Sequence, residues 1–83
     1  LRLTVTNKPY EIQIAPSAAR SISDLTSKEQ KQVLMVIEAL AINPRPPGSE
    51  KVDGMVGLYQ EPIDEKLLIY KIEEHEVLVL LLK

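Results

Sequence analysis

Residues 43–70, NPRPPGSEKVDGMVGLYQEPIDEKLLIY, decide the fold, because across them the hydrophobic period changes from helical to strand-like. Just upstream, Val33, Leu34, Ile37, Leu40 and Ala41 fall at helical spacing opposite Glu29, Gln32 and Glu38, and Ser27 with Gln30 has the capping-box pattern. That spacing predicts a helix from Ser27 to about Ile42. Pro44, Pro46 and Pro47 then remove backbone donors and push the residues before them out of the helical region, so the chain must leave the helix here. Beyond Gly54, strand-like runs at 56–61, 66–73 and 76–82, joined by turns at 62–65 and at Glu-Glu-His, predict an antiparallel meander.

Working outward to the start of the chain, Leu1, Leu3 and Val5 alternate with Arg2 and Thr4, and Tyr10, Ile12 and Ile14 alternate with Glu11 and Gln13. A short strand, a turn at Asn7-Lys8-Pro9 and a main first strand are expected. Ser17, as an N-cap after Pro16, opens a short helix with Ala18, Ile22 and Leu25 at helical spacing. The last run, VLVLLL at 77–82, is apolar on both faces, as in strands buried on both sides at the middle of a sheet. The first strand is the neighbour available for its free edge, reached in parallel by the two-helix crossover. The expected architecture is a single α+β domain over residues 1–83, ordered βααβββ. Both helices lie on one face of a four-stranded, mostly antiparallel sheet.

Composition narrows the function. With 83 residues the chain is one small domain, and with no cysteine it has neither disulfides nor thiolate metal ligands. Leu, Ile and Val supply 27 residues, while the aromatics are limited to Tyr10, Tyr59 and Tyr70, leaving few surfaces for base stacking. Residues 1–50 carry six basic and five acidic groups, whereas 51–83 carry four and seven, so the strand-rich half is net acidic. Binding a phosphate backbone needs clustered Lys and Arg, and Lys51, Lys66, Lys71 and Lys83 are scattered among carboxylates. No apolar run approaches the ~20 residues of a membrane span, and no signal-peptide pattern opens the chain. A cytoplasmic protein without a membrane partner is expected.

The "NPRP.G" helix end, the Lys51-Val52-Asp53-Gly54 turn, the Leu58-Tyr59 strand and the strand closing on Ile69-Tyr70 together resemble the RelE/ParE superfamily of toxins from toxin–antitoxin pairs. The resemblance covers about residues 10–82, with residues 1–8 as an N-terminal extension, and implies the same βααβββ fold. It also implies a ribosome-dependent mRNA endoribonuclease, whose pattern over this stretch carries arginines where this chain has Gln60, Pro62 and Leu67, and a glycine turn at Asp64. The family's customary segment after the last strand, with glycine, histidine, arginine and tyrosine, is not matched before Lys83.

Cleavage of that kind needs cations at the scissile phosphate and a group to activate the 2'-hydroxyl; losing one preorganised donor typically costs ~3 kcal/mol. The residues left to do this are Lys51, Tyr59, Lys66 and Tyr70, weighed against ordinary roles as solvated lysines and packed tyrosines. Strand period places Leu68, Tyr70 and Ile72 on one face and Leu67, Ile69 and Lys71 on the other. If the first set packs under the helices, Leu67 and Ile69 lie on the open face, where such toxins grip RNA. Arg20 and Arg45 are candidate contacts for an acidic antitoxin segment. His75, within EEHE, has no second His or Cys to complete a zinc site, so no metal or cofactor is expected. The function expected is a toxin-like protein that binds an antitoxin, its mRNA cleavage weak or lost. The alternatives are an active endoribonuclease acting on ribosome-bound mRNA, a ParE-like gyrase inhibitor, or a homodimeric interaction module.

Overall fold

A computed structural model of the protein describes residues 2–3 and 9–83. The elements run β1 (Arg2–Leu3), β2 (Glu11–Ile14), α1 (Pro16–Ser23), α2 (Ser27–Ile42), β3 (Glu50–Lys51), β4 (Leu58–Ile63), β5 (Lys66–Glu73) and β6 (Glu76–Leu82). They form one sheet in the order β1-β2-β6-β5-β4-β3. Strand β2 pairs with β6 in parallel, Ile12 opposite Val77 and Ile14 opposite Val79. The other pairings are antiparallel.

Both helices cover one face of the sheet. Ala18 and Ile22 of α1 and Val33, Ile37, Leu40 and Ala41 of α2 meet an inner layer that includes Ile12, Ile14, Leu68, Tyr70, Val77, Val79 and Leu82. This is the α+β arrangement expected from the sequence, and its four long strands are β2, β4, β5 and β6. The sheet is wider than the expected four strands by β1, which falls within the short strand expected from the Leu1, Leu3 and Val5 alternation, and by β3, two residues long and too short to leave a periodic signal. The remainder of the expected strand at Leu1, Thr4 and Val5, and the turn residues Asn7 and Lys8, lie outside the described residues.

Four local expectations shift. The turn expected at 62–65 shrinks to Asp64 and Glu65, because β4 continues through Pro62 to Ile63. Leu67 N–H bonds to Lys83 across β6, so the Pro62/Leu67 pair is not a hydrogen-bonded one and the missing donor of Pro62 faces the free edge, where it costs nothing. Asp64 takes φ 55°, a left-handed value that a short polar side chain tolerates. The capping box of α2 is Thr26 with Glu29, one residue before the Ser27/Gln30 pair: Glu29 N–H donates to Thr26 Oγ1 at 3.2 Å and Thr26 N–H to Glu29 Oε1 at 3.1 Å. Glu29 adds a negative charge at the positive end of the helix dipole, which Gln30 cannot. Helix α1 begins with Pro16 after Ala15, and Ser17 donates its hydroxyl to Leu80 O at 3.0 Å, tying helix to sheet instead of capping. Leu34, expected in the buried stripe, stands on the outer flank of α2 with Met35 and Ile42.

Candidate functional site

Two places gather the residues singled out from the sequence. The first is the hinge after α2. Pro44 follows the helix end and is buried, and Arg45 N–H donates to Asn43 Oδ1 at 3.1 Å, which turns the chain back toward the sheet. The Tyr70 hydroxyl donates to Pro44 O at 2.7 Å in the interior. Tyr59, opposite Tyr70 on the neighbouring strand, stacks on it with ring centroids 6.0 Å apart. Arg45 Nε donates to the Tyr59 hydroxyl at 3.1 Å, with the guanidinium 5.4 Å from the ring centroid. The Tyr59 and Tyr10 hydroxyls hold that guanidinium even more firmly protonated than usual. Tyr10 is placed there by its N–H bond to Ala41 O at 3.1 Å. All three tyrosines thus close around the hinge.

Burial pushes the Tyr70 hydroxyl up to about 12, with the nearby Glu61 charge adding to the effect. Glu61, on the same inner face, is itself raised by burial. Its carboxylate comes up against Gly48, whose φ of 96° makes the hinge turn.

Of the four residues considered for catalysis, three lie in one cross-strand row: Lys51 opposite Tyr59, and Tyr59 opposite Tyr70. Residues directly paired point to the same face, so the row faces the helix side, with Lys51 exposed at its outer end. The proton of Tyr70 is committed to Pro44 O, whereas Tyr59 sits at the rim beside Arg45. Lys66 stands apart at the other end of β5, where it pairs with Glu29 at 3.7 Å beside the start of α2. Arg20 lies exposed on α1, outside the hinge cluster.

The second place is the open face of the sheet. Leu67 and Ile69 alternate with buried Leu68 and Tyr70, so they point away from the helices, as the strand period requires. The expectation that β6 is buried on both sides fails although the strand is central: Val77, Val79 and Leu82 are buried, whereas Leu78 and Leu80 are half-buried and Leu81 is 37% exposed. A bulge explains the pattern. Ile69 pairs with Leu81 and Tyr70 with Val79, leaving Leu80 as an extra residue, so two successive leucines turn away from the core. Leu58 extends the patch onto β4. Within β4, β5 and β6 the open face carries one cation, Lys71, which pairs with Glu73 at 3.6 Å. Sequence reasoning found Leu67 and Ile69 and missed Leu58, Leu78, Leu80 and Leu81. The signal was present in Leu80-Leu81-Leu82, a run that breaks the two-residue period. Among the described residues no group of three potential metal ligands converges, and no helix is long and apolar enough to cross a membrane.

No protein-family model matches the chain, and no curated protein matches it in sequence. Solved structures do match in shape. An archaeal RelE–RelB complex from Pyrococcus horikoshii superposes with a TM-score of 0.81 at 20% identity, covering 90% of this chain and 93% of that one. The E. coli RelBE toxin–antitoxin complex gives 0.77 at 19% identity, with 88% and 93% covered. The YoeB dimer from Staphylococcus aureus gives 0.76 at 19%, with 90% and 95% covered. The fold is that of the RelE-like toxins.

Proposed function

We propose that this chain is the toxin-fold member of a toxin–antitoxin pair, that it uses the open face of its sheet to bind a protein partner, and that its mRNA cleavage is weak or lost. The observation that carries this reading is the chemistry of that face. Across β4, β5 and β6 it presents aliphatic side chains and a single lysine already paired with Glu73. A phosphate backbone gains its affinity from lysines and arginines that displace counterions, and a developing phosphorane charge needs preorganised donors. Half-buried leucine and isoleucine, with Leu81 exposed among them, offer neither, but they do suit the apolar centre of a protein interface. The matched RelE–RelB and RelBE structures are complexes of a toxin with its antitoxin, which supports a protein partner of that kind here. A cytoplasmic location belongs to the same reading.

The test is cell-free translation with mapping of message ends. Added protein is expected to leave ribosome-bound message intact. Ribosome-dependent cuts that disappear in Lys51→Ala would defeat the proposal. They would support a second reading favoured by the hinge, in which Arg45 and Lys51 flank Tyr59 and supply the cations of an endoribonuclease.

A further inference from the structure

A surface helix ordinarily buries one apolar stripe and turns polar residues outward. Helix α2 keeps the first half of that rule, with Val33, Ile37, Leu40 and Ala41 buried against the sheet, and departs from the second. On its outer side Leu34 is 37%, Met35 71% and Ile42 57% exposed. Lys31, Met35, Glu38 and Ile42 follow at steps of four, three and four residues, so they form one stripe with Leu34 beside it. Lys31 and Glu38 stand exposed on either side of the Leu34-Met35 pair, and neither forms an ion pair with a described residue. We infer that this stripe is a self-association surface, on which α2 pairs antiparallel with the α2 of a second copy of this chain about a twofold axis between Leu34 and Met35.

The order of the charges selects that occupant and that register. A twofold interface must complement itself. With the axis between Leu34 and Met35, each Leu34 lies against the other copy's Met35, and each Lys31 reaches the other copy's Glu38. Each Ile42 covers the other copy's Ser27 and the aliphatic stem of its Lys28. Two ion pairs then flank an apolar centre. Slipping the pair one turn toward the helix end sets Met35 against Ile42, but it brings two Glu38 carboxylates together and leaves both Lys31 side chains outside the contact. Slipping it one turn the other way brings the two Lys31 side chains together. A parallel pair sets lysine beside lysine and glutamate beside glutamate. Of these arrangements the first alone joins opposite charges.

Size sets the strength. The 16 residues of α2 span about 24 Å, and a helix about 10 Å wide leaves a footprint of roughly 240 Å² per copy. That is well below the ~800 Å² each side contributes to a standard interface, so the dimer is a weak and reversible one. Its surface lies on the helix side of the sheet, away from Leu67 and Ile69, and the inference therefore stands apart from the partner reading of the open face.

Sedimentation velocity of the native chain from about 10 µM to about 1 mM is the first measurement, and a mean mass rising from monomer toward dimer is expected. Lys31→Glu makes carboxylates face carboxylates across the axis, and Glu38→Lys makes cations face cations. Both positions are exposed. Each variant alone is expected to keep the native circular dichroism spectrum and to dimerise about tenfold more weakly. Mixed in equal amounts, the two variants restore both ion pairs, and a mixed dimer at least as tight as the native one is expected. Concentration-dependent methyl NMR shifts are expected at Leu34, Met35 and Ile42. A native chain that stays monomeric to the top of the range overturns the inference. So does self-association indifferent to both charge reversals, or a mixture no more associated than its separate components. Dimerisation whose shifts centre on Leu67, Ile69 and Leu78 overturns it in favour of the open face as the self-contact. The cell-free translation test of the functional reading is unaffected by any of these outcomes.

Discussion

Tyr70→Phe deletes one oxygen from the interior and nothing else, so it isolates the clasp between the third long strand and the hinge. The ring is fully buried, and its hydroxyl reaches Pro44 O at 2.7 Å. Without that donor the buried carbonyl has no ready replacement, since the nearby Ser49 hydroxyl is already bonded to Pro46 O at 2.8 Å. Stranding a buried acceptor costs ~1–3 kcal/mol. For a domain of 83 residues, about 2 kcal/mol lowers Tm by roughly 8–16 °C. The alkaline limb supplies an independent check. Because the folded pKa is raised from 10.0 to about 12, the unfolded state loses the phenolic proton first. The stability Tyr70 contributes is thus complete below pH 10 and is lost as pH rises toward 12, by on the order of 2–3 kcal/mol. Urea denaturation of the native chain and Tyr70→Phe across that range is expected to show the variant less stable at neutral pH but less sensitive to alkali. Tyr59→Phe serves as the control: its hydroxyl accepts from an Arg45 that water can solvate, so a loss within about 0.5 kcal/mol is expected. A Tyr70→Phe shift no larger than that of Tyr59→Phe, or an unchanged alkaline slope, would refute the clasp.

Thr26→Ala removes the hydroxyl that accepts from Glu29 N–H and is expected to cost about 1 kcal/mol in thermal denaturation, while Thr26→Ser retains most of it. Because Thr26 N–H and its hydroxyl hold the Glu29 carboxyl below its usual range, the same variant is expected to raise the Glu29 midpoint in a carboxyl-carbon NMR titration. Gly48→Ala meets only ordinary contact, 3.6 Å from Glu61 Oε1, yet forces a side chain onto φ 96°; a loss of about 1–2 kcal/mol by urea denaturation is expected.

The long elements were legible because each repeats its signal. Val33, Ile37, Leu40 and Ala41 keep helical spacing over α2, and Leu68 and Tyr70 keep the inner face of β5. Errors came where one residue carried the decision. Two overlapping capping boxes begin at Thr26 and Ser27, and only the reach and charge of Glu29 choose between them. Pro62 reads as a strand end unless the side its donorless nitrogen faces is known, which depends on pairing far along the chain. The hinge cluster was legible only in part: Tyr59, Tyr70 and Arg45 stood out as residue types, but the Tyr70 bond to Pro44 spans 26 positions and has no local signal.

The same periodicity separates the residues that build the scaffold from those on its open face. Gln60, Pro62 and Leu67, the positions where the resembled family carries arginine, all lie on the open face, whereas Tyr59, Leu68 and Tyr70 between them face the helices. Substitution at the first set leaves core packing untouched, so the stability of the fold does not dictate which side chains stand there. The side chains that do stand there have a consequence of their own. Charged residues keep an open sheet face soluble without a partner, whereas the two leucines that the β6 bulge turns outward lie beside half-buried Leu67 and Ile69 in a contiguous aliphatic area. On the reading proposed above, a protein partner is what such an area of aliphatic side chains would serve.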